Sequence, residues 1–423
     1  MDRLRGRSAG AVAVRIADLR ATPVAIGDPP LRASSGLHAP YALRTIVEVE
    51  TDDGIVGIAE TYGGEAARRA FERARPAVIG RDPWQLTRLR VDVEGLDGQP
   101  PAEGFAWEMR SLAPAALFGA LEVACLDAIG RAMGRPVVDL LGGRVRDPVP
   151  FSAYLFFKHG GDDEWGEVMT PQAVVHEART MCARYGFRSV KLKGGVLEPD
   201  REAEAVLLLR EAFGPDVPLR IDPNAAWSVA TSLRVAAKLD GTLEYLEDPT
   251  SGLDAMAEVA AQVNMPLATN MCVTAFEHIA PAVEKRSVAV ILSDHHMWGG
   301  LRATVELGRL CRTFGLGLSM HSNSHLGISL AAMTHVAAAV PELTYACDTH
   351  YPWQTDEVIT GGKLAIVDGA VAVPAGPGLG VELDRDALAR LHEQYRRAGL
   401  AARDDAAEMR RIDPSWRRHV GDW

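Results

Sequence analysis

Seven polar or ionisable residues, Lys193, Asp222, Glu247, Asn270, Asp294, His321 and Asp348, each close a short apolar run and follow one another at intervals of 23–29 residues. Asp222, Glu247 and Asn270 supply two carboxylates and an amide oxygen, hard donors that suit Mg²⁺ with water or a bound molecule completing its octahedron. No pair of cysteines and no pair of histidines stands near them in the chain to favour zinc. Lys191 and Lys193 share one face of a strand, because side chains repeat every second residue. Two ammonium groups buried side by side are expected to lower each other's proton affinity, as desolvation does, leaving one able to act as a base. Asp294 and His321 lie one interval apart. A carboxylate beside an imidazole fixes its tautomer and yields a second acid/base group. A divalent ion between two such groups suits removal of the proton α to a carboxylate, with Lys191 and the ion stabilising the enediolate that develops. A hydroxyl on the β-carbon would then leave as water. Without one, the opposite group reprotonates the α-carbon and epimerises it.

Such chemistry needs a scaffold that gathers strand ends. From about residue 149, eight β-rich runs alternate with segments of helical period: VPFSAYLFF, FRSVKLK, VPLRID, LEYLED, MPLATN, SVAVILSD, GLGLSMH and LTYACD. None alternates cleanly between polar and apolar, the pattern of a parallel sheet buried on both faces. Eight repeats over about two hundred residues fit a (β/α)₈ barrel, in which all the terminal polar residues face one mouth. Asp, Asn and Ser also cap helices routinely, so any single strand-end Asp has that simpler reading; the ordered set does not. The chain therefore divides into an α+β unit over 1–148, a barrel over 149–358 and a β- and turn-rich segment over 359–423 that returns to the first unit. In the first unit, TIVEVETDDGIVGIAE (45–60) is a hairpin turning at Asp53-Gly54. The long connection before it, 28–43, is expected to be a functional lid or disordered. Residues 113–134 read as a helix with Leu117, Leu121, Ala124 and Ala128 on one stripe. His325 reads as a first-turn helix residue, His295 and His296 as solvated loop residues, and the charged tail beyond about 399 as loosely ordered. Gly299-Gly300 and Gly361-Gly362 read as turns rather than phosphate loops.

Lys and Arg number 45 against 56 Asp and Glu, a net charge of -11, which argues against nucleic acid or an anionic membrane as partner. No apolar run reaches the ~20 residues of a membrane span. Arg3, Arg5 and Arg7 are not followed by a secretory apolar region. Five scattered cysteines without a C-x-x-C pair fit a reducing compartment, and a cytoplasmic protein is expected.

The ordered set VKLKGGVL (190–197), IDPNAAWS (221–228), LEDP (246–249), LATNM (267–271), HSNSHLGISLA (321–331), CDTHYPWQ (347–354) and PGLGVELD (377–384), with YLFF (154–157) and GLHAPY (36–41), resembles the enolase superfamily. Within it the chain is similar to the glucarate dehydratase branch of the mandelate racemase group, over nearly its whole length. Sites of that superfamily are known to use a Lys or His base with Mg²⁺ and an ene-diolate. The resemblance implies an α+β capping domain over a (β/α)₇β modified TIM barrel. It implies Lys193 as one base, the His321–Asp294 dyad as the other, and Mg²⁺ on Asp222, Glu247 and Asn270. It also implies that His38, Tyr154, Asn224, Asn323 and His350 contact an acid sugar such as glucarate or idarate, giving a 4-deoxy-5-keto diacid. A homo-oligomer is expected from analogy of fold. The alternatives are an acid-sugar epimerase, a dehydratase of another acid sugar, and a non-catalytic sugar-acid binding protein. Three departures from the branch concern the reading of the substrate. The segment after LEDP is short, making Asp254 a further metal candidate; Ala106 stands where relatives carry threonine; and the C-terminus lacks the closing arginine segment, for which Arg417 or Arg418 would substitute.

Overall fold

The computed structural model describes residues 14–96 and 114–423; Ala106 and the N-terminal arginines lie outside them. The first described strands are β1 (Ile16–Gly27), β2 (Leu31–Ala33), β3 (Gly36–Leu37), β4 (Tyr41–Thr51) and β5 (Val56–Tyr62). β1, β4 and β5 form an antiparallel sheet in that order. The β4–β5 turn closes where Gly54 takes φ 85°, a conformation that favours glycine. Against this sheet packs the helix Pro114–Met133, and a Cβ on Gly57 would fall 2.0 Å from the Ala124 carbonyl oxygen. The helix is buried from Ala116 to Gly130 on every side, not along one stripe, because β5 covers one face and the segment from His295 to Arg302 the other. The two acids that interrupt its apolar run serve as pins. Glu122 Oε2 accepts the Leu301 N–H at 2.6 Å, and Asp127 accepts those of Ile58 at 2.9 Å and Leu379 at 2.7 Å.

Beyond the short β6 (Val149–Pro150), seven parallel strands follow: β7 (Ala153–Lys158), β8 (Val190–Lys193), β9 (Leu219–Asp222), β10 (Tyr245–Glu247), β11 (Leu267–Thr269), β12 (Val290–Ser293) and β13 (Gly317–Met320). Successive strands from β7 to β13 pair with one another in parallel, as a barrel built of βα units requires. The eighth run, LTYACD, is not a full strand. It closes the ring through single parallel bridges, Leu318 to Leu343 and Phe151 to Cys347. Part of the reason is that the Ala346 carbonyl accepts from the Arg220 guanidinium (2.8 Å) and the Ser319 hydroxyl (3.2 Å) instead of a ladder N–H.

Two segments join the units at the mouth. The connection 28–43 is ordered: β2 and β3 form a hairpin whose β2 adds antiparallel to β7, with Leu31 opposite Lys158. After β14 (Ala370–Val371), which pairs with β6, the helix Arg385–Ala398 lies on the N-terminal sheet. There Gln394 donates to the Ala25 carbonyl at 2.9 Å. The tail is not loose. Helix Asp405–Ile412 packs on β3 so closely that a Cβ on Gly36 would lie 2.3 Å from the Asp405 carbonyl oxygen. The last residues bond to the loop after β9, Gly421 N–H to Ala225 O at 2.7 Å and Trp423 N–H to Ala226 O at 3.1 Å. No helix among the described residues is long and apolar enough to cross a membrane.

Candidate active site

Asp222 and Glu247 end β9 and β10, and Asn270 follows β11. Asp222, Glu247 and the neighbouring Asp248 bring carboxylate oxygens within 4.8 Å of one another, all buried. Their surroundings differ. Asp248, held at φ 37°, accepts the Thr269 hydroxyl and, at 2.8 Å, the Asn270 N–H, so both its oxygens are used in shaping the loop. Asn270 Oδ1 is buried with no hydrogen-bond partner among the described residues. Burial, followed by the charge of Asp222, pushes the Asp248 carboxyl up to about 7. Burial likewise holds Glu247 well above the usual carboxylate range, joined by Asp222, Asp348 and Asp248 and opposed by Lys191. A buried acidic cluster short of positive charge, beside an orphaned amide oxygen, fits a hard divalent cation. Asp222, Glu247 and Asn270 would hold it. Asp254 does not belong to the set: its side chain is 87% exposed and pairs with Lys285.

Neither lysine is left with a lowered proton affinity. Lys191 Nζ lies 2.6 Å from both Glu247 Oε2 and Asp348 Oδ2, and Lys193 Nζ lies 2.6 Å from Asp222 Oδ2. Burial alone would lower both, but the carboxylates outweigh it and the mutual repulsion, so both stand above the ordinary lysine value. The sequence placed these three carboxylates at the same mouth but not in direct contact with the ammonium groups. Tyr154 covers the pair, its ring centroid 4.8 Å from Lys191 Nζ and 5.8 Å from Lys193 Nζ.

Across the mouth, His321 Nδ1 lies 3.0 Å from Asp294 Oδ2, an oxygen that also accepts the Tyr62 hydroxyl at 2.9 Å. Asp294 Oδ1 accepts from the His296 backbone N–H (2.9 Å) and ring Nδ1 (2.8 Å). Burial would raise the Asp294 carboxyl, yet the imidazoles of His296 and His321 hold it well below its usual range. His295 and His296 are thus buried rather than solvated, opening a short helix that Asp294 caps. His325 is buried two residues before helix Gly327–Ala339, and burial pushes it down to about 4.

A cavity of about 560 Å³ lies between these groups, lined by Lys193 and His321. His38, Tyr154, Asn224, Asn323 and His350 all line it too. His38 Nδ1 lies 3.1 Å from Asp28 Oδ2, and Asn224, at φ 52°, turns its amide 3.3 Å from Met271 Sδ. His350 packs on Phe156 at 4.8 Å, and burial holds it well below the ordinary imidazole value. The tail contributes Arg403 and Arg418, whereas Arg417 is exposed and paired with Asp422. A wider cleft of about 710 Å³ beside Trp84, Leu126 and Ile129 is mainly apolar and gathers none of these groups.

Two family models match the chain: the mandelate racemase / muconate lactonizing enzyme N-terminal domain over 30–142, and the enolase C-terminal domain-like family over 173–387. The chain belongs to the enolase superfamily, in its mandelate racemase group. Among proteins of this superfamily, one of Streptomyces coelicolor named probable glucarate dehydratase is 52% identical, over 93% of this chain and 95% of its own. An enolase of Thermobispora bispora, crystallised with magnesium and formate, is 55% identical with a TM-score of 0.93, covering 97% of this chain and 100% of that one. An enolase of Pseudomonas fluorescens with bound magnesium, potassium and tartrate is 48% identical with a TM-score of 0.91, covering 97% and 99%. This enolase-superfamily chain also brings to its site residues that the motifs did not single out: Arg44 from β4, Tyr62 from β5 and Arg403 from the tail line the cavity, and Glu60 and His296 hold Arg44 from behind. Glu60 and Tyr62 end the hairpin's second strand and carry no chemical signal until the elements packed on that strand are known.

Proposed function

We propose that the protein is an Mg²⁺-dependent acid-sugar dehydratase, a carbon–oxygen lyase acting on a diacid such as glucarate or its epimer idarate. One observation carries the reading: an ammonium from β8 and an imidazole from beyond β13 line one cavity, and a buried acidic cluster stands directly behind the ammonium, with Asp222 Oδ2 2.6 Å from Lys193 Nζ. β9–β12 separate Lys193 from His321 one way round the barrel, and β7 with the closing segment separates them the other way. The two groups therefore address a bound molecule from different sides. The name of the Streptomyces relative and the magnesium in the related crystals support the reading.

When bound, the ion would draw charge from the substrate carboxylate and make the neighbouring C–H more acidic. Asp294 keeps the His321 proton on Nδ1, so Nε2 is the basic nitrogen that takes the α-proton of one epimer. The electron pair left behind spreads into the carboxylate, beside the Lys191 charge. The C–O bond on the β-carbon then breaks, and an ammonium such as that of Lys193 protonates the departing hydroxyl to water. For the other epimer the roles exchange, and Lys193 must first give up its proton. The resulting enol tautomerises to the keto diacid. Arg403 and Arg418 supply positive charge for a second carboxylate.

A panel of aldarates and aldonates, incubated with and without Mg²⁺ in D₂O, tests this. Loss of water with deuterium at the new methylene, in the presence of Mg²⁺ alone, is the expected result. Exchange at the α-carbon without water loss would make the protein an epimerase, and no exchange with any acid sugar would end the proposal. We further propose a cytoplasmic protein, a reading supported by five cysteines that form no disulfide, and a homo-oligomer, by analogy of fold.

A further inference from the structure

Asp294 is held at both oxygens, and one of the four contacts, from Tyr62, comes from outside the barrel. On the N-terminal sheet Arg44 pairs directly with Tyr62 and Ile46 with Glu60, so Arg44, Glu60 and Tyr62 share one face of the β4–β5 ribbon. That face meets the loop after β12 and the helix Gly327–Ala339. Glu60 bonds Arg44 Nε at 2.8 Å and accepts the N–H groups of Leu326 (2.9 Å) and Ser329 (3.0 Å) at the helix start. Arg44 in turn lies over the Tyr62 ring, 4.9 Å from its centroid, with Nη2 3.1 Å from His296 Nε2.

The protons in this array follow from the donors. A guanidinium only donates, so His296 Nε2 accepts and the ring proton sits on Nδ1, directed at Asp294 Oδ1. The other oxygen, Oδ2, is shared between the Tyr62 hydroxyl at 2.9 Å and His321 Nδ1 at 3.0 Å. An ionised carboxylate can only accept, so both of these groups donate to it. With Oδ1 occupied twice by His296 and Oδ2 claimed by Tyr62, the carboxylate plane is fixed from three directions before His321 is counted. His321 takes its ring orientation and tautomer from the one position that remains.

We propose that Tyr62 is a positioning residue for the His321–Asp294 dyad, through which the N-terminal sheet orients one of the two opposed proton-transfer groups and leaves the other untouched. Lys193 has no part in this array; its partner is Asp222 on β9. The proposal rests on the two-base reading above and adds an asymmetry to it. A buried tyrosine needing any acceptor for its hydroxyl would affect both halves of the site alike, whereas a tyrosine that fixes Asp294 affects only the imidazole side.

The experiment compares wild type with Tyr62→Phe, which keeps the ring packing and removes only the hydroxyl. α-Proton exchange in D₂O is measured on each member of an epimeric acid-sugar pair, with Lys193→Ala and His321→Asn marking which epimer each group serves. The expected result is a fall in kcat of roughly 10- to 100-fold for the epimer served by His321, with KM unchanged and the Lys193 epimer within about twofold. Equal losses on both epimers, a rise in KM on both with kcat preserved, or no change on either would overturn it. The Nδ1 proton resonance of His321 gives a second readout that needs no substrate. It should shift and exchange faster with solvent in the variant, and an identical resonance and exchange rate would overturn the proposal. If wild type exchanged no acid sugar, the proposed function would fail while this resonance still decided the role of Tyr62.

Discussion

Lys193 and Asp222, directly paired in register on neighbouring strands, meet at 2.6 Å between Nζ and Oδ2. Lys191 stands 3.6 Å from the same oxygen. One carboxylate thus serves an ammonium and a candidate metal site at once. Removing it would damage both, so Asp222 is a poor place to test either function alone.

Asn270 is the cleaner probe of the metal site. Its Oδ1 has no hydrogen-bond partner among the described residues, so Asn270→Ala breaks no visible hydrogen bond of that oxygen. Mg²⁺ at about 100 times its Kd should stabilise wild type by about 2.7 kcal/mol. Asn270→Ala should lose most of that gain while keeping its stability without metal. Asp254→Asn, at an exposed carboxylate paired with Lys285, should respond as wild type does. Thermal melts with and without Mg²⁺ check both, and a full Mg²⁺ response in Asn270→Ala would remove this residue from the ligand set.

The opposed placement of Lys193 and His321 predicts divided losses. Lys193→Ala should slow α-proton exchange of one epimer and His321→Asn that of the other, each by roughly 10²–10⁴-fold, the usual contribution of a positioned acid or base. Single-epimer kinetics with each variant provide the check. Full turnover of both epimers in either variant would exclude that residue as an essential proton-transfer group.

What the sequence disclosed depended on distance along the chain. Lys193, Asp222, Glu247 and His321 stand out because each follows an apolar run, and parallel pairing of successive runs brings their ends together. The sign of the lysine shifts needed Asp348, whose approach to Lys191 depends on how the last run closes the ring. His296 looks like any loop histidine until β4 and β5 lay Arg44 and Tyr62 over it. The tail looked loose because its charges face solvent in the one-dimensional pattern. In the fold Arg403 inserts between Asp28 and Asp405, 2.8 Å and 2.6 Å away.

Arg403 also lines the cavity, which makes it the candidate reader of a second substrate carboxylate. Arg403→Met should raise KM for diacids by roughly tenfold or more, consistent with loss of a charge-assisted hydrogen bond worth about 1.5–3 kcal/mol. Monoacids of the same length should be affected less than about threefold. Arg403→Lys should restore part of the stability by keeping a cation between Asp28 and Asp405, but less of the diacid affinity, because a lysine lacks the planar fork. Equal changes in KM for diacids and monoacids would assign Arg403 to structure alone.

A last prediction concerns acid stability and involves no substrate. His335, fully buried on helix Gly327–Ala339, accepts the Val138 N–H at Nδ1 (3.2 Å) and donates from Nε2 to the Leu379 carbonyl (3.0 Å). Both ring nitrogens are committed to the neutral form, and burial pushes the imidazole down to about 4 from 6.5. The folded pKa is the lower one, so between these values the unfolded chain takes up a proton that the folded chain refuses. His335 therefore contributes its full share of stability above about pH 6.5 and loses it as pH falls toward 4. By linkage the loss approaches about 3 kcal/mol. His335→Gln keeps a donor for Leu379 but not the acceptor for Val138. It should be less stable than wild type at pH 7 by about 1–3 kcal/mol. Because glutamine does not titrate, that difference should shrink as the pH is lowered. Urea unfolding of both proteins from pH 7 to pH 4 measures it, and a difference that stayed constant across the range would show that His335 titrates alike in the folded and unfolded chains.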